Sequence, residues 1–219
     1  MMRWQLQTDL PVQLAVIVME DLRISGSQDA FAELIRCAET YREHYGDQPI
    51  SEVPGVGAAR RFFRAIGIEP TRRRPSSEAL LKRALGDKGF HPVNTLVDVC
   101  NWYSLDFLLP ICVYDSDKIS GDVAVRIGRE GEGYDALNHR RINLGERYLL
   151  ADSIGPFGSP MTDSLRTAIG EETRDVALII FAPDDHDRER LTSHAATFAD
   201  RVSRFCGGRV TGQEILVPG

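Results

Sequence analysis

The chain reads as an α+β protein, a mixed and largely antiparallel sheet flanked by helices, on three observations. Residues 176–181 (Val-Ala-Leu-Ile-Ile-Phe) form an unbroken apolar run rich in β-branched side chains. Such a run is costly at an exposed edge and predicts an interior strand. Apolar residues recur at helical spacing over 29–45 and 187–206, predicting two amphipathic helices beside the sheet. Strands and helices follow without regular β-α-β alternation, which disfavours a parallel doubly wound sheet.

Taken in order, residues 14–19 are apolar and rich in valine and isoleucine, predicting a buried strand before the Ser25-Gly26-Ser27 turn. From Asp29, the residues Phe31, Leu34, Ile35, Ala38, Tyr41 and Tyr45 define one helical face that ends near Gly46. A shorter helix is expected over about 56–66, stopped by Gly67 and Pro70, with its arginines in water. Ser76 or Ser77 then caps a third helix, with Glu78 at its positive end and Gly86 and Gly89 closing it. A fourth is predicted over 94–105. Strands follow over 111–114, 123–127 and 147–151, punctuated by Asp117, Gly121, Gly128 and Gly145. The glycine-spaced stretch 128–133 lacks a phosphate-loop lysine and reads as a hairpin turn. In the last helix Leu191, Ala195, Phe198, Val202 and Phe205 share a face, and Gly207-Gly208 end it.

With 219 residues, 42% of them hydrophobic, the chain is long enough to bury a real core, and one compact domain is expected. No apolar stretch reaches the roughly 18 residues of a spanning helix, so no membrane partner and a cytoplasmic location are expected. Cys37, Cys100, Cys112 and Cys206 form no C-x-x-C pair, and the five histidines show no ligand spacing. No metal and no cofactor are predicted. Net charge is −6, which excludes a protein that coats nucleic acid by bulk charge. Positive charge is nevertheless concentrated at Arg60, Arg61, Arg64, Arg72, Arg73 and Arg74, which form either a local RNA contact or a solvated face.

Two further features invite chemistry. Asn94, Asp98 and Asn101 fall at i, i+4 and i+7 on one face of an otherwise apolar helix. Buried polar groups need partners, so this stripe either fastens neighbouring loops or lines a cavity. Residues 155–167 form a long irregular segment in which Thr162, Asp163, Ser164, Arg166 and Thr167 supply donors, acceptors and both charge signs.

The order of segments then resembles a known family. Ser77-Glu78-Ala79-Leu80-Leu81, Val97-Asp98-Val99-Cys100-Asn101-Trp102 and Leu109-Pro110-Ile111-Cys112-Val113-Tyr114-Asp115 are similar to the editing domain of the phenylalanyl-tRNA synthetase beta subunit. Gly121-Asp122-Val123-Ala124-Val125-Arg126, Leu149-Leu150-Ala151-Asp152 and Glu172-Thr173-Arg174-Asp175-Val176-Ala177-Leu178 continue the register. The resemblance covers 76–183 best. It implies two intimately packed sub-modules, with residues 1–75 as the N-terminal strand and helices of a freestanding form and 76–219 as the editing-like core.

The family's chemistry is hydrolysis of the ester that joins a wrong amino acid to the tRNA terminus, the second sieve of double-sieve editing. The resemblance therefore implies aminoacyl-tRNA as partner, through its acceptor end, and editing in trans by a protein that does not itself charge tRNA. Asn101 matches the family's pocket asparagine and Pro110 the proline that borders the pocket. Cys100 stands where the family has threonine, and Cys112 where it has a pocket histidine. Asp163 is the carboxylate nearest to the family's hydroxyl-recognising glutamate. Catalytic roles are expected of Asn101, Asp163 and Thr167, and substrate contacts of Asn94, Asp98, Pro110, Cys112 and Arg166. The cysteine departures motivate a second reading: a non-catalytic module that binds tRNA, a nucleoside or an amino acid on the same fold.

Overall fold

The computed structural model describes residues 2–86 and 88–218. In chain order its main elements are strands β1 (Trp4–Gln7) and β2 (Val12–Leu22) and helices α1 (Asp29–Tyr45), α2 (Val56–Ala65), α3 (Ser76–Leu85) and α4 (Thr95–Phe107). Strands β3 (Ile111–Asp115), β4 (Val123–Ile127), β5 (Gly133–Asp135), β6 (Arg141–Asn143), β7 (Tyr148–Ala151), β8 (Pro156–Gly158) and β9 (Val176–Pro183) follow, then helix α5 (Arg188–Cys206) and strand β10 (Gly207–Leu216). No described helix is long and apolar enough to cross a membrane.

The fold is α+β, but the strands divide between two four-stranded sheets and a β5-β6 hairpin. The first sheet runs β10-β2-β9-β3 and is antiparallel throughout. The second runs β1-β4-β7-β8, with only β1-β4 parallel. All eight residues of β9 are buried, as its unbroken apolar run predicts. Because strand side chains alternate, Val176, Leu178 and Ile180 enter a core shared with α4 and α5. Ala177, Ile179 and Phe181 enter a second core shared with α2 and the other sheet. β9 thus welds the layers together.

The segments on either side of residue 75 share a sheet. β2, from the first segment, lies between β9 and β10 from the second, so neither piece closes its sheet alone. Strand β10 was not anticipated. Its backbone pairs along β2 from Gly207↔Leu22 to Leu216↔Leu14, across a bulge between Val210 and Gly212, while its first nine residues are exposed or half-buried. The sequence therefore shows no apolar alternation there. Gly207 does end α5, with φ 70°, and turns the chain straight into this strand.

Candidate functional site

Helix α4 is fixed at its start by chemistry that the polar spacing concealed. Asn94 lies before the helix in extended conformation, and its side chain accepts a hydrogen bond from Val97 N at 2.9 Å. It is the helix cap, and so stands just before the helical face on which the spacing placed it. Asp98 is buried; its Oδ1 accepts from Val93 N at 3.2 Å and its Oδ2 has no partner among the described residues. Burial pushes its carboxyl upward, against the Val93 bond. Asn101 is half-buried and lines none of four well-formed clefts of the described residues. Asp98→Ala should remove the Val93 bond and cost roughly 1–3 kcal/mol in a denaturant melt. Asn101→Ala, with no such bond to lose, should leave the midpoint nearly unchanged.

Other expected contacts are already committed. The Thr167 hydroxyl is fully buried, pairs with the Ser164 hydroxyl at 3.1 Å and donates to Phe157 O at 3.3 Å, so it holds the 157–167 segment together. Arg166 grips Asp152 with two bonds of 2.9 Å and also donates to Lys118 O and Gly155 O. It is a loop clamp. Pro110 is buried and its carbonyl accepts from Phe181 N.

The six arginines also separate. Arg60 makes two 2.8 Å bonds to the buried Glu78, and Arg74 adds a third at 3.2 Å, locking α2 to α3. Arg61 pairs with Asp185 and, with Arg64, borders a small cleft against Pro183 and Asp184. Only Arg72 and Arg73 reach the cleft that concerns the 155–167 segment.

That cleft has a volume of about 440 Å³. Its walls are the turn after α2 (Ile66, Ile68, Glu69, Arg72, Arg73), the approach to β7 (Ile142, Leu144, Glu146, Arg147, Tyr148) and Ser159, Met161 and Thr162. The 66–73 turn is shaped by Glu69, whose carboxylate accepts from Thr71 N and Oγ1, while Arg72 N and Arg73 N donate to its carbonyl. Arg72, Arg73 and Arg147 have no carboxylate partner among the described residues. Arg147 was not singled out from sequence, since it stands alone there, some seventy residues from the arginine cluster.

Behind Ser159 and Thr162 lies a polar cluster. Tyr134 of β5 donates to Ser159 Oγ at 3.2 Å and to Thr162 O at 2.5 Å, and the Cys112 thiol lies 3.5 Å from Ser159 O. Gly158 packs so closely on Tyr114 that an added Cβ would sit 2.1 Å from the phenol oxygen. Asp163 adjoins this group. Burial pushes its carboxyl up to about 6, against the lowering influence of Tyr114 and Cys112. Burial pushes the Cys100 and Cys112 thiols well up, and the Asp163 charge adds to both shifts, so both are protonated and unsuited to act as nucleophiles. The structure thus brings Asp163, Cys112 and the neighbourhood of Cys100 together. Tyr114, Tyr134 and Ser159 belong to the same cluster and were missed, because each reads in sequence as an ordinary strand or loop residue.

A fold of this kind, with its polar turn between two sheets, has a family. The chain belongs to the B3/4 domain family, whose model matches residues 58–206. Among curated relatives, it is 38% identical over 105 residues to the phenylalanine-tRNA ligase beta subunit of Bartonella henselae, covering 47% of this chain and 13% of that protein. To the beta subunit of Neisseria meningitidis serogroup B it is 31% identical over 141 residues, 63% of this chain and 18% of the relative. To that of Brucella suis biovar 1 it is 28% identical over 180 residues, 80% of this chain and 22% of the relative. The chain therefore spans about a fifth or less of the length of these relatives.

Proposed function

We propose that the protein binds the acceptor end of an aminoacyl-tRNA and hydrolyses the ester of a mischarged one in trans. The observation that carries this reading is the cleft lined by Arg72, Arg73 and Arg147, none with a carboxylate partner among the described residues, and by Ser159, Met161 and Thr162. Unpaired arginines on an otherwise acidic protein suit a few local phosphate contacts. The family to which the chain belongs, and relatives named as tRNA ligase subunits, support the choice of tRNA over other phosphorylated ligands.

The chemistry asks little of the protein. Water adds to the acyl carbon, the bond to the ribose oxygen breaks, and that oxygen leaves with a proton as the hydroxyl. With both thiols protonated, no covalent intermediate is required, and the rate rests on orienting the ester and water and on donors for the developing oxyanion. Thr162, which lines the cleft, is the proposed positioner there.

The test is a panel of tRNAs each charged with a non-cognate amino acid, incubated with excess protein. At least one ester should be lost well above its buffer rate. A protein that retains charged tRNA on a filter yet accelerates no hydrolysis is the binding module of the second reading, and one that does neither is not a tRNA protein.

A further inference from the structure

The edges of the two sheets are unequal. Strands β1, β3 and β8 have five residues or fewer, whereas β10 runs for ten as the outermost strand of its sheet. Among the described residues its backbone bonds go only to β2. In an antiparallel edge strand every second residue turns its N–H and C=O away from the sheet, and folded proteins keep such edges short or cover them. The side chains of β10 are also matched to one another. Arg209 and Glu214 are an odd number of residues apart, which in a regular strand would put them on opposite faces. The bulge between Val210 and Gly212 restores the phase, because Arg209 lies opposite Glu20 and Glu214 opposite Val16. Both therefore stand on one face, with Gly212, opposite Val18, midway between them. Arg209 is 60% exposed and pairs with Glu20 and Asp21. Glu214 has no ion pair among the described residues and borders a cleft of about 670 Å³ on that face, walled on its far side by Trp4 and Gln5 of β1.

We infer that β10 pairs antiparallel with β10 of a second copy of this chain about a two-fold axis through Gly212, joining the two edge strands into one continuous sheet. This axis sets Arg209 of each copy opposite Glu214 of the other, and Val210, 44% exposed, opposite Gln213. The charge match belongs to that axis alone among its neighbours. Moving the axis to Gln213 sets Arg209 opposite Leu216, and moving it to Val210 sets Arg209 opposite Gly212. Directly opposed side chains of opposite charge stabilise a strand pair, and in a two-fold interface each such contact occurs twice. Each guanidinium then lies between Glu20 of its own copy and Glu214 of the other, and its planar fork has donors for both. The cleft beside Glu214 gives the incoming side chain room. The inference is independent of the tRNA reading.

Sedimentation of the wild-type protein over a dilution series should show a reversible dimer. Arg209→Glu and Glu214→Arg should each weaken it by about tenfold or more, since like charges then meet twice across the axis. Mixing the two variants should restore a dimer, because each then meets its opposite charge on the other copy. Misfolding of either variant would not be repaired by mixing. The register is tested by Gly212→Cys, where an added Cβ comes no nearer than 3.8 Å to its closest neighbour, Val18. On the axis this residue faces its own copy within disulfide reach, whereas Val210→Cys sets its two thiols on Cα atoms more than about 7 Å apart. On a non-reducing gel, beside the parent, the first should cross-link and the second should not. A wild type that stays monomeric to about 1 mM overturns the pairing. So do charge variants that dimerise like the parent, a mixture that stays monomeric, or cross-linking at Val210→Cys in place of Gly212→Cys.

Discussion

Arg60→Ala is expected to lower stability by roughly 3 kcal/mol, the lower edge of the range for stranding a buried charge, because Arg74 still reaches the same carboxylate. Glu78 is 3% exposed and faces Arg60 through two parallel bonds of 2.8 Å, the geometry in which guanidinium and carboxylate interact best. Burial alone would raise the Glu78 pKa, but the two arginines outweigh it and hold the carboxyl below its ordinary value. A folded pKa below the unfolded one contributes stability that is fully present above the unfolded value and is lost as pH falls through the folded one. The wild-type protein should therefore lose this contribution below about pH 4, the ordinary glutamate range, whereas Arg60→Ala should show a flatter acid limb. Urea melts of both proteins at pH 7 and at about pH 3, below the ordinary glutamate range, measure it. A midpoint unchanged by the substitution would show that α2 and α3 are held by their apolar contacts alone.

The same pair shows where a sequence stops being informative. An arginine cluster beside an acidic helix start has two physical uses, binding phosphate or fastening helices, and both leave the same residues in the same order. Which use applies depends on burial of the acid, and Glu78 becomes buried only when α3 packs against α2. Apolar patterns carry no such ambiguity: β9, α1 and α5 were legible because a core-facing run admits one environment. β10 was not, since an edge strand held by backbone bonds leaves no signature in its side chains. The polar stripe on α4 failed for a third reason. Spacing placed Asn94, Asp98 and Asn101 on one face, but an asparagine at a helix start finds its nearest donor in the backbone, and Asn94 became the cap. For the candidate site, Asp163 and Cys112 could be named from the resemblance, while Arg147, Tyr134 and Ser159 could not, because only the packing of β5 and β7 beside the 159–163 turn gives them a common purpose.

Reversing Arg72 and Arg73 together, as Arg72→Glu and Arg73→Glu, is expected to weaken tRNA retention by well over tenfold at low salt. Two phosphate contacts are lost, and two repulsive charges replace them at the mouth of the cleft. Each contact to a phosphate contributes about 0.7–0.9 to the slope of log affinity against log salt, so the double variant should flatten that slope by roughly 1.4–1.8. Both residues are exposed and neither has a carboxylate partner among the described residues, so thermal stability should move little. Arg61→Glu is the control, because Arg61 faces Asp185 at a different cleft and its reversal alters net charge without touching this one. If the double variant and the control weaken binding equally, net charge and not a site is responsible. If Arg61→Glu alone abolishes binding, the RNA runs over the α2 face and the 440 Å³ cleft serves another ligand.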